Sequence, residues 1–447
     1  MKKSTLAVAV TLGAIAQQAG AAGFIEDSKA TLGLRNFYIN TDNREGTANP
    51  SKNEEWGQGF DLRFISGYTQ GTVGFGLDAI GLLGVRLDSG GGTNGATASS
   101  YGGTIFPSKS NGEAVDNYSS LGLTAKAKIS QTELKLGTLQ PKLPVIVTND
   151  GRMLPQTFQC GQITSSDIKD LTLVAGQIEK AKGRNSSNNE SLSISGANSR
   201  GVNWRSSNKF YYAGGDYKIT KDLTAQYYYG NLEDFYKQHF LGLTHNWPIG
   251  PGVLKSDLRY FNSSDDGNNG NQSAYFSTGN YSGVNSGRGK VDNNLYSGLF
   301  LYSVAGHTFG GGYQVSNGSS DFPWLNQGDG SSAYITTDMQ IQKFARAGER
   351  TWQARYSYDF AKVGVPGLTA GVVYLKGDHI DTVASNRTEF TGQSEWERDI
   401  TVAYVVPEGP LKNVGVAWKN AMWRSDIANA RNQDENRLIV SYSIPLL

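Results

Sequence analysis

The sequence is poor in the features that build disulfide-bonded, metal-binding and hydrolytic proteins. Cys160 is the single cysteine among 447 residues, which excludes an internal disulfide framework, and zinc sites of the usual spacing are absent. The histidines at positions 239, 245, 307 and 379 do not cluster, so we expect them to be structural. A Gly-x-Ser-x-Gly nucleophile elbow is also missing. These absences predict a protein without a cofactor or metal and give no support to an enzyme.

Long apolar runs are missing as well. Hydrophobic residues make up 38% of the chain, below the roughly 45–50% of typical soluble domains, and no window is apolar enough for a spanning helix. An aromatic content of 11% and regular alternation oppose disorder. A transmembrane β-barrel explains the composition, because its lumen is polar and only alternate strand residues need be apolar. The formal net charge is +1, and we expect no nucleic-acid partner.

The N-terminus has the pattern of a secretory signal. A basic start is followed by a short apolar core and by a small-x-small pattern at Ala19 to Ala21. We expect cleavage after Ala21 or Ala22, so that residues 1–21 are a signal peptide and residues 22–447 one barrel domain in the bacterial outer membrane. Outer-membrane lipid and lipopolysaccharide would then surround it.

Alternation with a period of two carries the barrel prediction. Between positions 72 and 88, apolar residues such as Phe75, Leu77 and Leu83 share one face, while Asp78 and Arg86 lie on the other. Similar runs occur throughout, and at roughly 22–26 residues per strand and connection they predict roughly 16–20 strands. We expect short periplasmic turns near positions 130, 220 and 407. External loops are expected over 88–117, 184–200, 263–292 and 378–395.

One proline-punctuated apolar stretch, Gln140 to Gln162, does not fit the alternation. Prolines at 141, 144 and 155 forbid a regular ladder, while Val145, Ile146 and Met153 are too apolar for a solvated loop. A barrel of this size is too wide for side chains to fill. We therefore expect the stretch to fold into the lumen, narrow it and hold Arg152 at its tightest point. An ordinary structural loop is the alternative.

Several long motifs follow one another nearly from end to end of the chain. They include Gly23-Phe-Ile-Glu-Asp-Ser, Leu34-Arg-Asn-Phe-Tyr, Arg152-Met-Leu-Pro-Gln-Thr-Phe, Asn231-Leu-Glu-Asp-Phe-Tyr, Trp352-Gln-Ala-Arg-Tyr and Asn436-Arg-Leu-Ile-Val-Ser-Tyr. With these motifs in this order, the chain resembles the OprD-type substrate-specific outer-membrane porin family. The resemblance implies an 18-stranded barrel, monomeric or weakly trimeric, with inward-folded constriction loops. It also implies a ladder of basic side chains that carries small carboxylate-bearing molecules, because guanidinium groups bind carboxylates through paired, weakly hydrated contacts.

Candidate rungs follow from alternation and from the resemblance. Period two places five basic residues on the lumen face: Arg35, Arg63, Arg355, Lys419 and Arg437. The family's motifs imply basic rungs at Arg152, Lys419 and Arg437. For Arg35, Arg63 and Arg355 an alternative is a wall charge paired with an acid. Lys126, Lys128 and Lys135 are also expected to face inward.

Some positions depart from the family pattern and bear on the substrate. Ala403 and Ala417 stand where relatives have basic rungs, which implies a shorter ladder. A second inward loop is expected over 319–338, with Ser331 where the branch that transports basic amino acids has a carboxylate. This favours cyclic or aromatic monocarboxylates such as benzoate-like compounds, with ring contacts from Phe322, Trp324 and Tyr334. Asp321 could instead supply an acidic side, as could the aspartates at 329 and 338.

Three other functions remain open at this point. The first is a channel of the same family for basic amino acids and peptides. The second is an outer-membrane hydrolase, which would need a histidine within reach of both a serine and a carboxylate. The third is a surface adhesin or structural barrel with a blocked lumen.

Overall fold

Eighteen antiparallel strands form a closed barrel in the computed structural model. It describes residues 23–44, 51–88, 104–194, 206–267, 291–326, 332–383, 388–428 and 430–447. The barrel strands are β1 Lys29–Asn43, β2 Lys52–Ile65, β3 Gly74–Asp88, β4 Asn117–Ile129, β5 Thr132–Leu139, β6 Thr157–Ser165, β7 Leu171–Lys182, β8 Phe210–Lys218 and β9 Leu223–Leu232. They continue with β10 Tyr236–Ile249, β11 Gly252–Asp265, β12 Asp292–Val304, β13 His307–Gly318, β14 Arg350–Asp359, β15 Leu368–Val383, β16 Glu389–Val405, β17 Gly415–Ser425 and β18 Gln433–Pro445.

Each strand pairs with the next, and β18 pairs with β1 to close the sheet, with Arg35 opposite Ser441. Closure leaves no unpaired strand edge, which is what a strand structure needs in lipid. The all-β fold and the 18 strands are as expected. Residues 1–22 lie outside the described residues, so the signal peptide stays a prediction.

No helix in the described ranges is long and apolar enough to cross a membrane.

Side chains alternate between the outer and inner faces as the sequence predicts. On β3 and β4 the outward residues Phe75, Leu83 and Leu121 are exposed, at 38%, 37% and 74%, whereas the inward Lys126 is buried at 5%. The apolar residues thus cover the outer wall and the charged residues line the lumen, as in other transmembrane barrels.

The two rims of the barrel differ in the length of their connections. At one rim the turns are short, such as those after Ile129 and Lys218, and β1 begins and β18 ends there. The long connections that follow Asp88 and Lys182 leave the barrel at the other rim. The predicted external loop over 378–395 is wrong in large part, because β15 runs to Val383 and β16 begins at Glu389. These extended strands are stabilised by a small inner cluster of Ile380, Trp423 and Ile427.

Two connections from the long-loop rim fold into the barrel: the first inserted segment, residues 140–156, and the second inserted segment, described over residues 319–326 and 332–349. In the first, Val145, Ile146, Met153 and Leu154 are buried against the inner wall. The expectation of a folded-in stretch is confirmed, although residues 157–162 belong to β6. The second segment continues to position 349, beyond the predicted end at 338.

Candidate functional site at the barrel constriction

The tip of the first inserted segment is held by two arginines of the barrel wall. Arg35 on β1 donates from Nη1 to the Asp150 carboxylate at 2.8 Å and to the Arg152 carbonyl at 2.6 Å. Arg437 on β18 donates from Nη1 to the Gly151 carbonyl at 3.1 Å. The tip is therefore clamped between two neighbouring strands by charge-assisted hydrogen bonds.

Arg437 also joins the two inserted segments. Its Nη2 donates to the Gln340 carbonyl of the second segment at 3.0 Å, and its Nε donates to Glu435 at 2.6 Å. An isolated antiparallel bridge pairs Val147 with Ser332. The two segments thus contact each other and the same wall, which fixes the constriction as a unit.

Beside this contact lies a basic cavity of about 490 Å³ in the lumen. Its charged lining is Arg355, Lys419, Arg437, Asp338 and Asp399. Lys419 and Arg437 are direct cross-strand partners, so their side chains are neighbours on the inner face. The alternation-based prediction that these three basic residues face the lumen agrees with the structure.

The cations of the cavity differ in their protein partners. Arg437 pairs with the carboxylate of Glu435, whereas Arg355 donates, among the residues described, to neutral acceptors only, Gln353 Oε1 at 2.7 Å and the Thr336 carbonyl at 2.5 Å. Lys419 makes no hydrogen bond or ion pair with the part of the chain that the structure describes. A half-buried ammonium without a partner retains its capacity to bind an anion.

Arg35 and Arg63 continue the row of lumen cations towards the short-turn rim. In the strand register Arg437 lies opposite Ile39, and Arg63 lies opposite Thr31, with Arg35 midway on β1. Each step of four residues corresponds to about 13 Å along a strand. Arg63 is held by Asp61 at 2.8 Å, which matches the alternative of a paired wall charge.

Arg152 faces a different part of the protein from the one expected. Its Nη1 donates to the Thr104 carbonyl at 2.5 Å, and the buried Glu55 carboxylate acts on it electrostatically. Glu55 in turn accepts a hydrogen bond from the Ile105 amide at 2.7 Å. Arg152 therefore fastens the first inserted segment to the 104–106 connection, and it does not line the basic cavity.

The predicted site residues of the second inserted segment differ from one another in their contacts. Asp321 accepts the Ala347 amide at 2.8 Å and so ties the segment to itself. Phe322 is 2% exposed and packs edge-to-face on Phe261, so its predicted contact with a substrate ring is wrong. Tyr334 is half-buried beneath Arg259, whose guanidinium lies 4.0 Å from the ring centre. Ser331 lies outside the described residues.

Lys126, Lys128 and Lys135 lie near the short-turn rim. Lys126 pairs with Asp78 at 2.6 Å, and Lys135 pairs with Glu133 at 2.8 Å. Sequence reasoning missed two further charged residues of the lumen, Arg259 and Asp399. The same alternation points to both, because Arg259 follows Asp257 by two positions and Asp399 follows Glu397 by two.

Within the described residues, no group of three or more metal-binding side chains is present. The ring nitrogens of His239 and His307 contact the hydroxyls of Tyr227 and Tyr356, at 3.0 and 2.9 Å. His379 contacts its neighbour Asp378 at 2.6 Å. The constriction is thus made of fixed charges and backbone carbonyls.

A wide closed barrel with a constriction of inserted loops defines an outer-membrane porin. The family described as "outer membrane porin, OprD family" matches residues 22–446, and the chain belongs to this family. It is an outer-membrane channel and not an enzyme, which excludes the hydrolase alternative.

Three relatives show the extent of the likeness. The porin-like protein GalP of Pseudomonas putida is 35% identical over 431 residues, covering 96% of this chain and 95% of GalP. The crystal structure of Pseudomonas aeruginosa OccK8 (OprE) is similar with a TM-score of 0.84 and 62% identity, covering 95% of this chain and 100% of that one. Pseudomonas aeruginosa OpdK with vanillate has a TM-score of 0.80 and 35% identity, with the same coverage.

Proposed function

We propose that the channel takes up small carboxylate-bearing molecules passively and favours cyclic or aromatic monocarboxylates of the benzoate type. The observation that carries the proposal is the basic cavity, where Arg355, Lys419 and Arg437 face a lumen narrowed by both inserted segments. Guanidinium and ammonium groups bind carboxylates by charge-assisted hydrogen bonds. Weak binding at such a site lets an anion enter and leave without being trapped.

The contacts of the second inserted segment favour a monocarboxylate over a basic amino acid. A cationic substrate end would need a carboxylate, but Asp338 is bound to Lys343 at 2.8 Å and to the Ala333 amide at 3.0 Å, and Asp399 shares its cavity with Arg355, Lys419 and Arg437, which would repel a cation. Asp321 is occupied by the Ala347 amide. The OpdK structure with vanillate, an aromatic monocarboxylate, adds support from a relative.

Reconstitution in planar bilayers tests the proposal. In a KCl gradient the reversal potential should show preference for chloride, and benzoate should reduce the chloride current at concentrations where arginine does not. Arg355→Gln and Lys419→Gln should each weaken the benzoate effect about tenfold, the loss expected for one charge-assisted contact.

Arg44→Gln is the matched control, because Arg44 lies at the long-loop rim and pairs there with Asp42 at 2.9 Å. It should leave the benzoate effect unchanged. Preference for potassium, or equal inhibition by arginine and benzoate, would refute the proposal.

A further inference from the structure

Four basic residues of the lumen wall share one arrangement, an acid two positions earlier on the same strand. The pairs are Asp61 with Arg63 at 2.8 Å, Glu133 with Lys135 at 2.8 Å, Asp257 with Arg259 at 2.7 Å and Glu435 with Arg437 at 2.6 Å. Residues two apart on a strand point to the same side, so each pair is preformed by the local backbone.

Such a pair weakens the ability of its cation to bind an anionic ligand in two ways. The carboxylate cancels most of the positive field that the cation projects into the lumen. It also occupies hydrogen-bonding groups, since both Nε and Nη2 of Arg259 are taken by Asp257, at 2.8 and 2.7 Å. The same two groups of Arg63 are taken by Asp61.

Arg355 and Lys419 depart from this arrangement at the basic cavity. Position 353 holds glutamine, which accepts the Arg355 Nε as a carboxylate would but brings no charge. Position 417 holds alanine, and Lys419 contacts no acid within 4 Å among the residues described. Both cations line the same cavity.

We propose that the neutral residues Gln353 and Ala417 determine where this channel binds a carboxylate. They leave Arg355 and Lys419 without a counter-charge, and the substrate's carboxylate supplies it, in the role that Asp61, Asp257 and Glu435 have elsewhere on the wall. This specificity rule rests on the proposed uptake of carboxylates, and it names the two residues that select the binding position.

Asp399 lies on β16, one of the two strands between Arg355 on β14 and Lys419 on β17, and faces both cations. Its Oδ2 accepts the Gln340 amide at 3.2 Å, and it attracts Arg355 and Lys419 electrostatically without forming an ion pair within 4 Å. The other acid of the cavity, Asp338, is paired with Lys343, and Arg437 is paired with Glu435, so Asp399 is the one lining acid left to face Arg355 and Lys419 among the residues described. The surplus positive charge of the cavity belongs to Arg355 and Lys419.

The test restores the missing acids. Gln353→Glu keeps the shape of the side chain and its acceptor for Arg355 Nε, and should weaken benzoate inhibition of the chloride current about five- to tenfold, as an ion pair competes with the ligand. The ratio of chloride to potassium permeability should fall with it. Ala417→Asp should act in the same way on Lys419, through a different side chain.

Gln162→Glu is the matched control, with the same chemical change on the lumen wall of β6. Its Oε1 already accepts the Tyr212 hydroxyl at 2.9 Å, and it lies opposite Lys135, which is paired with Glu133. Benzoate inhibition should be unchanged in this variant. Glu435→Gln is the reverse experiment, and it should strengthen benzoate inhibition by freeing Arg437.

The outcomes separate this inference from the proposed function. If wild-type channels ignore benzoate, the proposed function fails, and the chloride preference of the variants still tests the rule. If Gln162→Glu lowers that preference as much as Gln353→Glu, the effect is a diffuse lumen field and the inference is wrong. Unchanged preference in both Gln353→Glu and Ala417→Asp, with each barrel shown to be folded by its heat-dependent gel mobility, also overturns it.

Discussion

Lys419 and Arg63 are both basic residues on the lumen face of the barrel wall. Their partners differ, since Arg63 is bound by Asp61 while Lys419 opens into the basic cavity. Which face a side chain occupies is a local property of the strand, but which neighbour it meets depends on the register between strands and on the inserted segments.

These two residues should therefore respond differently to neutralisation. Lys419→Gln should weaken benzoate inhibition about tenfold, whereas Arg63→Gln should change it less than about twofold, because Asp61 already cancels the charge of Arg63. Dose–response curves of benzoate on single-channel currents measure both. Equal losses would show that the pairing of Arg63 with Asp61 has no bearing on binding.

Met153 depends on glycines that no local pattern could assign. A Cβ on Gly57 would lie 2.6 Å from its Sδ, one on Gly84 would lie 2.6 Å from its Cε, and one on Gly59 would lie 2.9 Å from its carbonyl oxygen. Glycine in a strand indicates that another group approaches the backbone closely, but it does not identify that group. The contact between Met153 and these glycines exists only once the first inserted segment lies against β2 and β3.

Gly59→Val should displace this segment, because the obstacle is backbone and not the end of a flexible side chain. We expect noisier single-channel currents, a changed conductance and a several-fold loss of benzoate affinity as the constriction loosens. Gly311→Ala is the control, since a Cβ there would meet nothing within 4 Å. Quiet currents of wild-type size in Gly59→Val would contradict the claim that Gly59 makes room for the backbone of Met153.

Strand β16 and the second inserted segment explain two errors of prediction together. Glu397 accepts the Ile341 and Gln342 amides at 2.8 Å each, and Arg346 donates to Glu395 at 3.4 Å. The segment therefore continues past position 338, and the strand continues up to meet it. The sequence shows Glu395 and Glu397 only as charges at the edge of an expected loop. It does not reveal the backbone partners of Glu397, 55 and 56 residues earlier, or the Arg346 side chain that binds Glu395 from 49 residues earlier.

The contacts of Glu349 that hold the second inserted segment in place should weaken as the pH rises. Burial raises the pKa of Glu349 well above its ordinary value, and the nearby Glu395 raises it further, while the Arg346 amide bond opposes the shift. A carboxyl whose folded-state pKa is raised stabilises the fold at pH values below its unfolded pKa, and this contribution is lost as the pH rises through the raised value. Arg346, whose pKa burial lowers but Glu395, Asp321 and Glu349 raise more, offsets part of the loss.

Current noise recorded from about pH 5 to about pH 9 should thus increase with pH, and Glu349→Gln should flatten the dependence because its side chain stays neutral. A Cβ on Gly377 would lie 2.0 Å from Glu349 Oε1, so Gly377→Ala should raise the noise at every pH. Noise that rises equally in Glu349→Gln would assign the effect to another group.

At the scale of the whole molecule, the selectivity should depend on salt. The lumen cations act on a passing ion through water, so their field is screened over about 10 Å at 0.1 M and about 3 Å at 1 M ionic strength. The ratio of chloride to potassium permeability should fall as KCl is raised between these values at a constant concentration ratio. A ratio independent of salt would mean that steric exclusion, not fixed charge, selects the ions.

The architecture was more accessible from sequence than the constriction. Period-two alternation, turn spacing and the OprD-type motifs predict the barrel, because each strand's inner and outer faces are set by its own residues. The motifs supplied the number 18, since spacing alone allowed a range. Arg152 shows the limit, because its partner Thr104 is 48 positions earlier and belongs to a connection without a pattern.

The seam between β1 and β18 joins parts of the chain that lie far apart, as the hydrogen bond between Thr41 and Glu435 spans 394 positions. Closing so long a loop costs entropy before any contact repays it. The same seam places Arg35 and Arg437 on the two strands that together clamp the tip of the first inserted segment. A molecule arrested as an open sheet would therefore hold the tip of the first inserted segment from one strand instead of two, and the constriction would be completed only in the final act of assembly, when the two ends of the chain meet.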